Sequence, residues 1–333
     1  MHSQDSIPET ALAWIEAGRS VSLATVVTTW GSAPRPVGSQ LVIDGDMAFE
    51  GSVSGGCVEG AVIMEAVEAM ADGTCRILSF GVSDDTAFEV GLACGGQIEV
   101  LVEPVDLGQG PSVEDLRALV EARAARRPVI WEVDMAAWTR RLIARDTNDA
   151  TVEDLFRTDK SAREGDVFRG VHNPPLRLAI IGAVHIAQPL VQMARLAGYD
   201  IVLSDPRDSF ASAARFPDET FLEGWPDEAL SAYGLDLRTA VVTLSHDPKI
   251  DTPALQTALD SEAFYVGALG SKRTHGKRVV ALQEAGLSDS KIARIDGPVG
   301  LDIGAASPAE IAVSIMGEMT ERLRRPETRP GAG

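Results

Sequence analysis

The chain has 333 residues, which favours about two domains, and its 45% hydrophobic content argues against a disordered or disulfide-stapled protein. Its net charge is −19, which disfavours a protein that tracks nucleic-acid phosphates with a basic face. The acidic excess is concentrated in residues 1–110, which hold 16 acidic and three basic residues. We therefore expect no nucleic-acid partner.

Cysteine usage and the N-terminus predict a cytoplasmic protein. Three cysteines in a chain of this length are not a disulfide framework. The first residues lack the basic and apolar regions of a signal peptide. No apolar run reaches the roughly 18–20 residues that a membrane span needs. We expect reduced thiols and no membrane insertion.

The first part of the chain, residues 1–110, is predicted to be an α+β domain. An amphipathic helix at 8–17 precedes an apolar strand at 21–29. The further predicted elements are strands at 39–43, 47–50, 76–80 and 97–102, and a helix at 57–70. Residues 111–175 are interpreted as a connecting segment with a helix at 112–126, a strand at 128–134 and a charge-rich linker at 146–175.

Residues 176–324 alternate short apolar runs with helical patterns, which is typical of a Rossmann-like domain with a doubly wound parallel sheet. The whole chain is therefore assigned to the α/β class. Predicted strands lie at 177–182, 199–204, 219–223, 239–244 and 263–268, and predicted helices at 185–197, 251–261, 272–284 and 308–323. Residues 325–333 are expected to form a flexible tail.

The turn after the first strand of this second domain matches part of a dinucleotide-binding fingerprint. Gly182 permits the tight turn and Ala187 permits close helix packing. Val184 stands where a second glycine would let the backbone approach a pyrophosphate, and it argues against NAD(P) at this turn. Asp205 ends the second strand, where an acid binds ribose hydroxyls. An NAD(P)-dependent oxidoreductase is therefore kept as an alternative.

Further candidates lie where strands of an open α/β sheet end and ligands bind. His185 follows the turn, Asp247 ends the run Ser245-His-Asp, and Lys272 with Arg273 begins a helix after the fifth strand. The two basic residues would clamp a phosphate. The alternatives are a capping or packing imidazole for His185, a helix-start segment leading to Asp251 for Ser245-His-Asp, and an ordinary solvated helix start for the basic pair.

In the first domain the run 52–60 combines glycines, hydroxyls and the thiol of Cys57 at a helix start. Such a start favours anions and thiolates. Cys94 precedes two glycines and a strand, so the two thiols would meet as soft-metal ligands, or else remain buried structural cysteines. Arg35 is the one basic residue between Arg19 and Arg76, which makes it the cationic partner for an anion.

These motifs resemble the XdhC/CoxI family of xanthine dehydrogenase accessory proteins over nearly the whole chain. The matching segments are 31–36, 51–60, 94–96, 182–185, Asp205 with Arg207, 216–217, 265–273, 298–305 and 307–314. The sequence departs from the family pattern at Val184, where the family turn has glycine.

The resemblance implies a chaperone rather than a free-standing catalyst. Such a protein binds molybdenum cofactor of the molybdopterin type and protects it while a cysteine desulfurase supplies sulfur. It then delivers the cofactor to an apo molybdenum hydroxylase of the xanthine or CO dehydrogenase type. A homodimer would help to close the core of the Gly-rich first domain.

On this basis Cys57 and Cys94 are predicted to lie near molybdenum. A sulfur-relay enzyme with a persulfide on Cys57 is the second alternative. The predicted cofactor-binding residues are Arg35, Ser54, Gly55, Gly56, Cys57, Glu59, Cys94, Gly95, Gly96, Gly182, His185, Asp205, Arg207, Asp247, Lys272 and Arg273.

Overall fold

The structure is a computed structural model, and it describes residues 6–31, 33–81, 96–145, 148–207, 209–212 and 214–325. The chain packs as two compact units, residues 1–174 and 175–333, which we call unit 1 and unit 2. Among the described residues, none of the helices has the length and apolar character required to cross a membrane.

Unit 1 begins with a five-stranded antiparallel sheet in the order β3-β2-β1-β5-β4. Its strands are β1 (Val21–Trp30), β2 (Gln40–Asp44), β3 (Phe49–Gly51), β4 (Arg76–Phe80) and β5 (Gln97–Pro104), and its helices are α1 (Ile7–Glu16) and α2 (Glu59–Asp72). The two faces bury different helices because side chains alternate along a strand. Ala24 and Val26 pack with α2, whereas Leu23 packs with α1.

A second antiparallel sheet of unit 1 has the order β7-β6-β9-β8. Its part of the chain contains α3 (Val113–Ala124), β6 (Val129–Asp134), β7 (Thr139–Ala144), α4 (Ala150–Thr158), β8 (Ala162–Glu164) and β9 (Val167–His172). The two sheets share a core, in which Val27 and Leu101 of the first pack with Trp131 and Phe168 of the second.

The prediction of a linker at 146–175 was therefore wrong for most of that range. Helix α4 and strands β8 and β9 occupy it. Some of its charges are neutralised by a neighbouring strand: Arg169 of β9 donates to Glu132 of β6 at 2.7 Å. In the sequence, a charged segment resembles a linker when the strand that neutralises its charges is unknown.

Unit 2 contains a six-stranded parallel sheet in the order β12-β11-β10-β13-β14-β15. The strands are β10 (Leu176–Ile181), β11 (Tyr199–Ser204), β12 (Thr220–Phe221), β13 (Thr239–Thr243), β14 (Tyr265–Ala268) and β15 (Ile295–Asp296). The helices are α5 (Ala187–Leu196), α6 (Pro226–Tyr233), α7 (Pro248–Asp260), α8 (Lys272–Glu284), α9 (Asp289–Ile292) and α10 (Pro308–Arg324).

This order is that of a Rossmann sheet, and the predicted doubly wound domain is confirmed. Both faces are covered: Leu178 and Ile180 of β10 pack with α5 and α10, whereas Ala179 and Ile181 pack with α7. The strand order reverses between β10 and β13, so ligands are expected at the carboxyl ends of these strands.

Candidate functional site

In unit 1, glycine-rich loops meet at one end of the first sheet. Trp30 of β1 pairs with Gln97 of β5, so the loop that starts at Gly31 lies beside Gly96. A Cβ atom placed on Gly31 would lie 3.6 Å from the Cα of Gly96, and one on Gly55 would lie 3.9 Å from the Cβ of Pro34. Of the predicted motif at 94–96, Gly96 is buried, while Cys94 and Gly95 lie outside the described residues.

The carboxylate of Glu59 organises the loop between β3 and α2. Glu59 is the first residue of α2 and is 7% exposed. Its Oε1 accepts hydrogen bonds from Ser52 Oγ at 2.9 Å, Val53 N–H at 3.2 Å and Ser54 N–H at 2.9 Å. Its Oε2 accepts from the Ser54 hydroxyl and from Gly56 N–H, the latter at 2.8 Å.

The ionised form of Glu59 is strongly favoured. Burial acts to raise its pKa, but the hydrogen bonds from Ser54 and Ser52 outweigh burial and lower the pKa to about 2. The carboxylate is therefore charged at neutral pH and holds the loop through its five donors. This makes Glu59 a residue that positions the loop, rather than a free group for a ligand.

The amides of the loop are also used within the loop. Gly55 N–H donates to Ser52 Oγ at 2.9 Å, and Gly56 N–H donates to Glu59. Ser54 Oγ accepts from Val58 N–H at 2.9 Å. The predicted role of Gly55 and Gly56 amides in holding an anion is therefore not supported, because neither N–H points to an empty position.

Two predicted groups of this site do stand available. Cys57 is exposed, two residues before α2, which begins later than the predicted 57. Arg35 is half-buried, and its buried Nε has no hydrogen-bond partner among the described residues. A cation and a soft thiol therefore lie on two loops that touch at Pro34 and Gly55. The described residues contain no cluster of three or more His, Cys, Asp or Glu able to hold a metal ion.

Cys75 is a structural cysteine. Its side chain is buried, and Arg140 Nη2 donates to its Sγ at 3.2 Å. Burial, together with the nearby charge of Glu103, raises the pKa of this thiol to about 11. A protonated buried thiol is a poor nucleophile and a poor metal ligand.

In unit 2, the turn after β10 is tightly closed. Gly182 has φ +98°, and a Cβ atom there would lie 2.7 Å from the backbone nitrogen of Ser245. Ala183 N–H donates to Asp205 Oδ2 at 2.9 Å, and the side chain of Val184 packs against the core. The turn thus has the predicted shape, but the N–H of Ala183 already has an acceptor.

Asp205 and Arg207, both predicted to bind the cofactor, are hydrogen-bonded to each other. Oδ1 of Asp205 accepts from Arg207 N–H at 3.0 Å and from Arg207 Nε at 2.8 Å. Oδ2 accepts from Arg207 Nη2 at 2.7 Å in addition to Ala183 N–H. Burial raises the pKa of Asp205, and these bonds lower it further than burial raises it. A carboxylate offers about four lone-pair sites, so none is left for ribose hydroxyls.

Of the remaining predicted residues of unit 2, one is a helix cap and three are exposed at the surface. Asp247 caps α7, accepting from Lys249 N–H at 2.9 Å, which supports the alternative of a helix-start segment. His185 is exposed beside the turn. Lys272 and Arg273 are exposed on the first turn of α8.

Sequence reasoning missed the buried charges of this edge. Ser245 Oγ donates to Asp251 Oδ1 at 2.6 Å, and Arg278 Nη2 lies 3.9 Å from Asp251 Oδ2. Burial raises the pKa of Asp251 and lowers the pKa of Arg278. The available signal was positional: Arg278 and the buried Leu282 are four residues apart on α8, so a basic residue occupies a core position of the helix.

The fold and these loops define a protein with a Gly-rich α+β unit and a Rossmann-type unit. Residues 178–319 match the XdhC Rossmann domain, and residues 14–81 match the XdhC and CoxI family. The chain is 32% identical over 312 residues to a protein of Escherichia coli (strain K12) named molybdenum cofactor insertion chaperone PaoD, covering 93% of this chain and 86% of that one. The chain belongs to the XdhC and CoxI family.

Two other comparisons agree. A Bacillus subtilis (strain 168) protein, named as a probable subunit of xanthine dehydrogenase, is 26% identical over 327 residues, which cover 94% of this chain and 96% of that one. The crystal structure of a xanthine dehydrogenase from Bacillus halodurans superposes with a TM-score of 0.66 at 24% identity, covering 99% of both chains. This likeness shows a shared fold.

Proposed function

We propose that the protein is a maturation factor that binds molybdenum cofactor at the loops of unit 1. It then delivers the cofactor to an apo hydroxylase of the xanthine or CO dehydrogenase type. The similarity to a protein named as a molybdenum cofactor insertion chaperone supports a role in molybdenum cofactor maturation. The observation that carries the site is the unpartnered, buried Nε of Arg35 on a loop that touches the loop of Cys57.

The chain's own residues suit such a cargo. The cofactor brings an anionic pterin phosphate and a molybdenum ion. The guanidinium of Arg35 would donate to the phosphate, since charge-assisted hydrogen bonds to phosphate are strong. The thiol of Cys57 would face the metal, since thiolates are soft ligands. Glu59 fixes the loop so that the backbone does not have to reorganise on binding.

Release is as important as binding for a carrier. The described residues contain no group of three or more His, Cys, Asp or Glu that would enclose a metal beside Cys57. Cys94 is the predicted second thiol, and Gly96 places the end of its segment beside Gly31. A site with few ligands is suited to handing its cargo to another protein.

The proposed partners follow from the same role. A cysteine desulfurase would supply the sulfur that replaces a terminal oxo ligand while the cofactor is held. The net charge of −19 favours partners with a basic docking surface and makes association sensitive to salt. A cytoplasmic location and a homodimer stay predictions. The NAD(P)-dependent alternative gains no support, because Asp205 has its acceptor sites filled.

The test measures cofactor retained by protein purified from a host that makes the cofactor. We expect Arg35→Met to lower molybdenum and pterin per chain about tenfold or more, since a hydrogen bond to a charged group contributes about 1.5–3 kcal/mol. Arg127→Met removes an equally positive but exposed side chain of unit 1 and should retain the wild-type content. Equal content in the two variants would contradict the site.

The role of Cys57 is tested in the same preparation. We expect Cys57→Ala to lose molybdenum, and we expect the wild-type thiol to gain no sulfur after incubation with a desulfurase. Mass spectrometry that finds one added sulfur on Cys57 would instead support the relay enzyme. Unchanged molybdenum in the alanine variant would rule out thiol–metal contact.

A further inference from the structure

A buried cation lies at the carboxyl edge of the parallel sheet in unit 2. Strands β13 and β14 are neighbours, with Thr243 opposite Ala268, so the loops that follow them leave the sheet side by side. Arg278 of α8 reaches back under the second loop, where its Nη2 donates to the carbonyl oxygen of Leu269 at 2.9 Å. Its side chain is 7% exposed.

The guanidinium of Arg278 is poorly satisfied for a buried group. It carries five N–H donors, of which one is used in the bond to Leu269. Its Nη1 is buried and has no partner in the described part of the chain. Buried cations normally have both a counterion and hydrogen bonds, because leaving water otherwise costs several kcal/mol.

The nearest carboxylate does not complete the site. Asp251 Oδ2 lies 3.9 Å from Nη2, beyond hydrogen-bond length, while its Oδ1 accepts from Ser245. The pKa of Arg278 is lowered by burial in spite of the charge of Asp251. On the side of Nη1 the cation therefore lacks an anionic partner among the described residues.

A second orphan nitrogen lies one turn earlier on the same helix. His275 and Arg278 are three residues apart and so share a face of α8. The Nδ1 of His275 is buried and lacks a partner among the described residues. The ring packs on Gly297, where a Cβ atom would lie 2.4 Å from Nδ1. Burial and the nearby Arg278 lower the pKa of His275, so the imidazole is neutral at pH 7 and retains one N–H donor.

We propose that Arg278, assisted by His275, binds a phosphate-type oxyanion at the carboxyl edge of β13 and β14. The planar guanidinium fork matches phosphate, and this edge adjoins the reversal of strand order where α/β sheets bind ligands. In this proposal the phosphate contact of this loop is Arg278 and not the exposed pair Lys272 and Arg273.

The experiment uses the full-length chain and inorganic phosphate as the probe. Unfolding midpoints are measured at pH 7.5 as phosphate replaces chloride at constant ionic strength. We expect a saturable rise for the wild type, since a ligand of the folded state stabilises it by mass action. Arg278→Met should weaken phosphate binding at least about tenfold, which corresponds to about 1.4 kcal/mol. Lys277→Met removes an exposed charge of the same helix and should behave as the wild type.

Two results overturn the proposal: no phosphate-specific rise in the wild type, or an equal rise in Arg278→Met. If the methionine variant does not fold, Arg278→Lys keeps the buried charge and removes the fork, and it should show the same loss. Crystals of the wild type grown with tungstate supply a second readout. A heavy-atom peak within hydrogen-bond reach of Arg278 Nη1 supports the site, and peaks found only elsewhere refute it. Phosphate bound at Arg35 of unit 1 would stabilise the wild type and Arg278→Met alike, so the difference between these two proteins reports on the site in unit 2.

Discussion

Glu59 shows how one side chain sets the chemistry of a loop. A glutamate at the first position of a helix benefits from the helix dipole, and here it also accepts hydrogen bonds from five donors of the preceding loop. Glycines at 55 and 56 have φ of +74° and +112°, which allow the backbone to curl around that carboxylate. The loop is therefore held in shape before any ligand arrives, and the groups left over are Cys57 and Arg35.

Replacing Glu59 by Gln should destabilise the protein by about 1–3 kcal/mol at neutral pH, because an amide nitrogen would face N–H donors that lose their acceptor. The folded-state pKa is lowered from 4.5 to about 2, so the stabilisation is fully present above about pH 4.5 and is lost as the pH falls toward 2. Urea unfolding at pH 7 and pH 3.5 should thus show a smaller difference between wild type and variant at the lower pH.

Glu68→Gln is the control, since Glu68 lies on the same helix with its side chain 65% exposed. It should change stability little at either pH. A difference for Glu59→Gln that stays constant between the two pH values would refute the ionised role of the carboxylate.

At the scale of helices and strands, the sequence predicted best the strands that are buried on both faces. Strands β10 and β13 are covered on both faces, so their sequences are nearly continuous apolar runs, and they were predicted within a residue or so. Strands β8 and β9 were missed because their charges are neutralised by residues distant in sequence, such as Arg163 of β8 by Glu99 of the first sheet at 3.0 Å. Strand β15 has two residues, too few for a periodic signal.

The same limit applies to the sites. The place of Asp205 could be predicted because a strand end fixes it, but its role depends on the bond to Ala183 and the fork of Arg207. Arg278 looked like one base among several in a helical run. Its burial under Leu269 is a property of the packed fold. Sequence patterns predict the helix or strand to which a residue belongs. The hydrogen bonds formed in the folded protein then decide which of these residues keep donors or acceptors for a ligand.

The closed turn after β10 can be tested by a pair of glycines. Both Gly182 and Gly198 have positive φ, +98° and +84°, so alanine costs about 1–2 kcal/mol at either place. A Cβ atom at Gly182 would also lie 2.7 Å from Ser245 N, whereas nothing lies within 4 Å of one at Gly198. Gly182→Ala should therefore lower the free energy of unfolding by about 1–3 kcal/mol more than Gly198→Ala in urea. Equal losses would show that the loop between β13 and α7 moves away from the added Cβ atom at little cost.

At the scale of the molecule, some acids of the first 110 residues pair with arginines of the next part of the chain. Among the described residues such pairs join Arg117 with Glu16, Arg123 with Glu9, Arg140 with Glu103 and Arg163 with Glu99. Exposed pairs of this kind contribute little each. The pair Arg140–Glu103 is different, because its side chains are 4% and 3% exposed.

This buried pair makes the extent of the folding unit testable. We predict that a fragment of residues 1–174 folds cooperatively and that one of residues 1–110 does not. The shorter fragment removes the two hydrogen bonds that Arg140 donates to Glu103, at 2.9 and 2.7 Å. Losing one partner of a buried pair costs up to about 3–5 kcal/mol, and less where water reaches the remaining carboxylate. It also uncovers Val27 and Leu101, which pack with Trp131 and Phe168.

These losses are comparable to the whole stability of a small domain, about 5–15 kcal/mol, so the shorter fragment should lack a cooperative transition. Urea unfolding followed by circular dichroism distinguishes the fragments. Adding Glu103→Gln to the shorter fragment separates the two causes, since it removes the unpaired charge and leaves the apolar face uncovered. Recovery of a cooperative transition by that change would assign the dependence to the ion pair, and continued failure would assign it to the shared core. A cooperative transition in the unmodified shorter fragment would instead show that residues 1–110 fold as an independent domain and do not need the second sheet for stability.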